Sequence, residues 1–484
     1  MTTTSDSSGA LPRHLLPEDK RESMEESVRN HDQWRAIDRE VLWHPFTQMS
    51  GWMDESFPVI ERAEGSELID VDGVRYLDGV SSLWCSIHGH GVAEVDQAIK
   101  DQLDQVAHST LLGLSSVSAI RLAEALVDVT PRNLSRVFYS DSGSTAVEVA
   151  LKMAFQYWRQ KEGETSKRSR FLCFQGSYHG DTIGSVSVGG MDLFHQIFSP
   201  LLFSVTHLPV PEGPSTQARD AKVDQCLSEI DRVLEQGDQY AALVMEPGVQ
   251  GAAGIRPYPE GFTAEVCRRA REAGLLVILD EVATGFGRSG HLLACEREGI
   301  EPDLLCLAKG LSAGYLPLAA TLASERIYEG FLGAHEEYRT FFHGHTFTGN
   351  ALACAAALAS VRLCLRPDFL ERCRSLGDDL EACLEPLRSH PNVLEVRRYG
   401  SMFGIELVQE CGAPEGERGP KPRSFEESLR MGHRVIEEAR HRGAILRPLG
   451  DTVVLMPPLS MAMNEITRLA EITIAAIGAA VGRG

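Results

Sequence analysis

Continuous apolar runs, not amphipathic stripes, dominate the middle of the chain. Residues 275–279 (Leu-Leu-Val-Ile-Leu) and 304–308 (Leu-Leu-Cys-Leu-Ala) are apolar at every position, the pattern of a strand buried on both faces of a parallel sheet. Residues 137–140, 171–174 and 241–245 add three more strand-like runs, and the segments between them leave room for helices. The alternation predicts a doubly wound α/β domain over 81–355. After the 137–140 run, Glu148, Lys152 and Gln156 fall on one polar face of a helix. Upstream, 68–78 alternates apolar and polar positions around Asp72-Gly73, a hairpin signature. Downstream, 393–396 and 403–407 read as strands and 409–424 as a Gly/Pro-rich loop, while Phe425, Leu429, Ile436 and Ala439 form one face of a helix stopped by Gly443. The chain ends, 31–80 and 356–484, are assigned to a small α+β domain. Residues 1–30, rich in Ser, Thr and charge and without periodicity, read as a disordered tail.

Composition narrows what such a fold can do. A net charge of -21 disfavours nucleic acid or an anionic membrane as a partner, since both need a basic face. Small-molecule chemistry is the expectation. The 11 cysteines are scattered and never spaced C-x-x-C, which fits free thiols in a reducing cytoplasm. The N-terminal stretch has no signal-peptide core, and no run approaches the roughly 18 apolar residues of a membrane span. The expected location is cytoplasmic.

Eight of the 47 basic residues are lysines, and of these only Lys309 directly follows an apolar strand-like run. The carboxyl edge of an open α/β sheet is where ligands bind, and burial there lowers an ammonium pKa and makes the amine a nucleophile. Asp280 reaches the same edge from the 275–279 run. Asp141-Ser142-Gly143-Ser144-Thr145 opens the helix after the 137–140 run, and a helix N-terminus with small hydroxyl residues suits a phosphate monoester. The loop Gly176-Ser177-Tyr178-His179-Gly180-Asp181 adds an aromatic. Lysine, carboxylate, aromatic and phosphate corner together match the needs of pyridoxal 5'-phosphate. Two motifs compete with this reading. Gly285-Phe286-Gly287-Arg288-Ser289-Gly290 is a literal G-x-G-x-x-G of a nicotinamide oxidoreductase, but Asp280 to Thr284 separate it from its strand, where a dinucleotide turn follows directly. The tripeptides His88-Gly89-His90 and His343-Gly344-His345 could hold a metal, but no carboxylate cluster accompanies them in sequence, and no metal is expected. A non-enzymatic regulator of the same fold would need a basic DNA-binding module, which this acidic chain lacks.

Seven stretches carry a family resemblance: Trp43-His44-Pro45-Phe46-Thr47-Gln48-Met49, Asp141-Ser142-Gly143-Ser144, Tyr178-His179-Gly180-Asp181, the run from Asp280-Glu281 to Gly287-Arg288, Ala308-Lys309-Gly310, His343-Gly344-His345-Thr346-Phe347, and Arg447-Pro448. Over about residues 40–480 the chain resembles the class III, fold type I, pyridoxal-phosphate aminotransferases, and within them the branch that aminates 8-amino-7-oxononanoate in biotin biosynthesis. The resemblance implies a large domain with a mixed, mostly parallel seven-stranded sheet flanked by helices, and a small α+β domain formed by the two chain ends. It implies a Schiff base on Lys309, Asp280 paired with the pyridine nitrogen, phosphate contacts from Gly143 and Ser144, and ring stacking by Tyr178. It also implies a homodimer with shared sites, in which Thr346 reaches the phosphate of the neighbouring subunit, and a cofactor contact from His345. Substrate contacts are implied for Phe46, Leu83, Trp84, Tyr178, Arg288, Lys309 and Gly344, with Arg447 on the substrate carboxylate and Asp181 in support. Another class III ω-aminotransferase acting on a diamine or ω-amino acid is the alternative.

The amino donor is the point of departure from the better-known members, which use S-adenosylmethionine. Those carry Tyr at Phe46, Trp at Leu83, Pro at His345 and Tyr at Val454, and the exchanges remove aromatic faces and a phenol that would hold a sulfonium nucleoside. Together with His108-Ser109-Thr110-Leu111-Leu112-Gly113 and Phe342-His343-Gly344-His345, the pattern looks more like the branch that takes its amino group from L-lysine.

Overall fold

The computed structural model describes residues 30–191, 196–213, 215–412 and 421–482. The tail assigned to 1–30, apart from Asn30, and positions 413–420 of the expected loop lie outside them. The chain divides into two compact units, Met1–Arg62 with Leu68–Arg75, and Ala63–Glu67 with Tyr76–Gly484. In the first, helix His31–Val41 opens with an Asn30–Gln33 capping box, and Trp52 stacks on Phe57 with ring centroids 4.1 Å apart. The Asp-Gly turn is present: Gly73 takes φ 79, and the Asp70 carboxylate accepts from the Val74 amide at 2.9 Å.

The second unit is built on seven strands: β1 Leu134–Ser140, β2 Arg170–Phe174, β3 Val205–Leu208, β4 Tyr240–Met245, β5 Leu276–Asp280, β6 Leu304–Leu307 and β7 Ala319–Ser324. Their order across the sheet is β1-β7-β6-β5-β4-β2-β3. All the pairings from β6 to β3 are parallel, while β7 runs antiparallel to both β6 and β1. The sheet is thus mixed and mostly parallel, as expected. Successive side chains on a strand point to opposite faces, so an all-apolar run feeds two cores. Leu276 and Ile278 pack with helix α1, Gly143–Glu162, whereas Val277 and Leu279 pack with helix α2, Phe262–Glu272. Each such buried side chain stabilises the frame by about 1.5–3 kcal/mol, which keeps the strand ends rigid.

Towards the C-terminus a four-stranded sheet, β8 Val393–Tyr399, β9 Met402–Leu407, β10 Arg447–Leu449 and β11 Thr452–Leu455, has the order β8-β9-β11-β10. The helix expected from Phe425 starts later, as α3, Met431–His441, because Arg430 takes a left-handed φ of 46 and breaks the run. Its stop, Gly443 at φ 87, is as expected.

Candidate active site

Sheet register brings the chemistry together. Asp280 pairs with Cys306 between β5 and β6, and Leu279 with Met245 between β5 and β4. Lys309, Asp280 and Glu246 therefore leave three adjacent strand ends, and the Tyr178 loop leaves the next, β2. They line one cavity of about 760 Å³ with Leu83, Trp84, Gly143, Ser144 and Asp181.

Asp280 is buried. Its Oδ2 lies 2.8 Å from His179 Nδ1, and its Oδ1 accepts from the Val282 amide at 3.0 Å. Burial works against a charged His179, but the bond and charge of Asp280, with Glu246 beyond, more than offset it and raise the imidazole pKa. Lys309 sits just past β6 with φ 47, its Nζ 5.0 Å from the Trp84 ring centroid. Burial lowers its pKa, against the opposing pull of Asp280 and Glu246, so a neutral amine is available at lower pH than on a free lysine.

Helix α1 starts at a capping box in which the Thr145 amide donates to Ser142 Oγ and the Ser142 amide to Thr145 Oγ1. Ser144 Oγ is 2.8 Å from Thr182 Oγ1, tying this corner to the Tyr178 loop. Glycine is required at 143, where a Cβ would stand 2.5 Å from Val282 Cγ1. Tyr178 donates from its hydroxyl to Asp181 at 2.7 Å. Burial, followed by that bond, raises its pKa. Arg447 is close enough to Tyr178 for their charges to interact, and burial lowers its pKa.

Other expected residues lie elsewhere. Arg288 is buried and does not line the cavity; its guanidinium donates to the Pro457 carbonyl at 2.6 Å and Ser81 Oγ at 2.8 Å. Gly344, His345 and Thr346 line a second cavity, about 1350 Å³, with His108 and Phe342. It is joined to the first by His345 Nδ1, 2.7 Å from Asp141 Oδ2. Phe46 belongs to the N-terminal unit, exposed and with φ 52. Val454 is fully buried with Tyr399 and Met402, so it offers the cavity no surface. Of the competing motifs, Gly287 passes Phe369 so closely that a Cβ would stand 2.8 Å from its ring. His90 is paired with Asp78, and His88 lies 3.3 Å from the Ser360 carbonyl.

Two residues escaped the sequence reading of roles. Glu246 is buried at the cavity, accepting from the Tyr178 amide at 3.3 Å and the Gly251 amide at 2.9 Å; burial pushes its pKa up to about 7. It follows the 241–245 run as Asp280 follows 275–279, so the same signal pointed to it. His179, the partner of Asp280, gave no signal beyond its place in the loop.

The profile of the Aminotransferase class-III family matches residues 49–477. The chain belongs to the class III aminotransferases. It is 50% identical over 454 residues to the adenosylmethionine-8-amino-7-oxononanoate aminotransferase of Nitratidesulfovibrio vulgaris, covering 93% of this chain and 82% of that one. The enzyme of the same name from Geobacter sulfurreducens is 47% identical, with 90% and 95% covered. Among solved structures, the adenosylmethionine-8-amino-7-oxononanoate aminotransferase of Methanocaldococcus jannaschii superposes with a TM-score of 0.86 at 40% identity, covering 93% of this chain and 99% of that one. A thermostable (S)-enantioselective omega-transaminase from Thermomicrobium roseum also reaches 0.86, at 32% identity, with 94% and 100% covered. The protein is therefore a transaminase, and pyridoxal phosphate is its cofactor. The donor set fits that group: a half-buried amine, a buried carboxylate on the neighbouring strand end, a helix N-terminus whose glycine admits no side chain, and an aromatic on the flanking loop.

Proposed function

We propose that this transaminase aminates 8-amino-7-oxononanoate to 7,8-diaminononanoate in biotin biosynthesis, with L-lysine as donor. The observation that carries the acceptor is the identity of 40–50% to five relatives named for it, each covering at least 90% of this chain. When bound, pyridoxal phosphate supplies the electron sink for proton transfer at the amine-bearing carbon. In this reading Gly143 and Ser144 hold the phosphate, Tyr178 stacks on the ring with Asp181 fixing its hydroxyl, and Asp280 holds a proton on the ring nitrogen. Lys309 anchors the group and moves the proton. Arg447 takes the substrate carboxylate, and Leu83 and Trp84 wall the chain of the substrate.

Lysine is supported by the aliphatic Leu83 in the cavity wall. A second reading, S-adenosylmethionine as donor, is favoured by the relatives' names. An assay supplying 8-amino-7-oxononanoate with either donor separates them. Since an aromatic contact is worth about 0.5–2 kcal/mol, its absence at Leu83 is expected to give lysine a kcat/KM roughly two- to thirtyfold higher. Efficient turnover with S-adenosylmethionine and none with lysine overturns the lysine reading, and failure with both moves the enzyme to another ω-amino substrate.

We further propose a homodimer with shared sites, working in the cytoplasm. The dimer is supported by exposed Leu112, Ile120, Phe342 and Phe347 around the groove that holds Thr346, since large apolar patches mark interfaces. The location is supported by eleven unpaired cysteines. With His345 and Thr346 completing the partner's phosphate site, cofactor and dimer are coupled, because a ligand bound only by the assembled form stabilises it. Sedimentation of cofactor-free protein should show a weaker dimer than the loaded enzyme, and a fully active monomer at assay concentration refutes the sharing.

A further inference from the structure

The segment that carries Leu83 and Trp84 to the cavity is strained. Ser81, Ser82 and Trp84 take φ of 48, 60 and 67, and Ser82 joins its φ to ψ -78, the γ-turn of the rarer, strained hand. Side-chain-bearing residues stay in such conformations only where their surroundings over-determine them, and they gather at functional sites.

The restraint at the centre is Asp78, whose burial is complete at 0% exposure. Its two oxygens accept from the Ser82 amide at 2.8 and 2.7 Å, and Oδ2 also accepts from Ser82 Oγ at 3.1 Å. On the far side Oδ2 meets His90 Nε2 at 2.9 Å. The ends of the segment are held differently. The Met456 amide donates to the Gly79 carbonyl at 2.8 Å, and Ser81 Oγ donates to the Met456 carbonyl at 2.7 Å. Only the γ-turn residue depends on a single carboxylate, and charge-assisted bonds of this kind are the stronger class. Asp78 does not itself line the cavity.

We propose that Asp78 is a positioning residue that holds Ser82 in its strained turn and thereby sets how Leu83 and Trp84 shape the substrate cavity. Releasing it shifts that wall, whose Trp84 ring stands 5.0 Å from Lys309 Nζ, while Asp280, Lys309 and Tyr178 stay on their own strand ends. Substrate affinity changes and the proton-transfer machinery does not. The proposal rests on the function proposed above only for the name of the substrate.

The test is Asp78→Asn, nearly isosteric but uncharged, in the cofactor-loaded enzyme. Hydrogen exchange of peptides spanning 79–86 should accelerate while the central strands keep their protection. KM for 8-amino-7-oxononanoate should rise about tenfold with kcat within about threefold, the expected scale for a wall displaced by a fraction of an ångström. Ser82→Gly added to Asp78→Asn should recover much of the KM, because glycine enters the positive-φ region without the Cβ penalty. His90→Gln, which loosens Asp78 from its far side, should move both readouts the same way by less, and it carries the test should Asp78→Asn not fold. Unchanged exchange in 79–86, an unchanged KM, or a kcat falling in step with KM overturns the proposal. Should the wild-type enzyme not turn over 8-amino-7-oxononanoate, the substrate reading fails by itself. KM is then taken with the ω-amino acid it does accept, and the exchange result stands independently.

Discussion

Lys309→Ala is expected to abolish transamination, with a loss of at least about four orders of magnitude, since in the proposed roles it removes both the covalent anchor and the acid–base group. After borohydride reduction of the wild-type enzyme, peptide mapping should find the cofactor label on Lys309. Lys152 is the instructive competitor. It is exposed, its Nζ sits 2.9 Å from His343 Nδ1, and it lies on the second cavity's side of helix α1. Label on Lys152, or near-normal turnover in the alanine variant, would reject the assignment. A pH arm follows from the environment of Lys309. Burial favours the neutral amine, and Asp280 and Glu246 oppose it without reversing the sign, leaving the pKa below the ordinary 10.5. The rate at which cofactor-free enzyme takes up pyridoxal phosphate should therefore rise with pH and level off below the titration of a free lysine. Levelling off at or above that value contradicts the buried-amine reading.

The parts of this site that were legible in the sequence are those where burial dictates residue type. Strands covered on both faces must be apolar throughout, so 275–279 and 304–308 announced themselves, and the first polar residue after each marked the sheet edge. The antiparallel β7 was less visible because Ala319, Ala320, Ala323 and Ser324 are small, poor strand formers that tertiary contacts hold in place. Conformation that no residue type announces was invisible. Ser81-Ser82-Leu83-Trp84 reads as ordinary sequence, yet three of its four residues have positive φ. Arg430 at φ 46 likewise delays a helix that its apolar spacing would begin earlier. The places of Arg288 and Val454 depended on which side of a wall a residue faces, and that is decided by packing between distant segments, such as the bond from Arg288 to Ser81.

Asp280→Asn is expected to lower kcat by about two to three orders of magnitude, the scale of losing one preorganised electrostatic group in a buried site, while the protein still binds cofactor. Asparagine keeps the shape and an oxygen for the Val282 amide, so the backbone bond of 3.0 Å can persist. What disappears is the anion. Without it the strand end loses the charge that, in the proposed role, favours a proton on the ring nitrogen, and His179 loses the partner that raises its pKa against burial. The same charge also raises the pKa of Lys309, so removing it makes the lysine amine neutral over a wider pH range. A slower enzyme therefore cannot be attributed to a protonated lysine, which separates the two roles. His179→Gln provides the control: it leaves the carboxylate in place, and its loss should be well below that of Asp280→Asn. Steady-state kcat for both variants, measured beside cofactor content from absorbance, decides the matter. Near-normal turnover in Asp280→Asn, or an equal loss in both variants, would remove Asp280 from the role of ring partner and leave it as a structural support for His179.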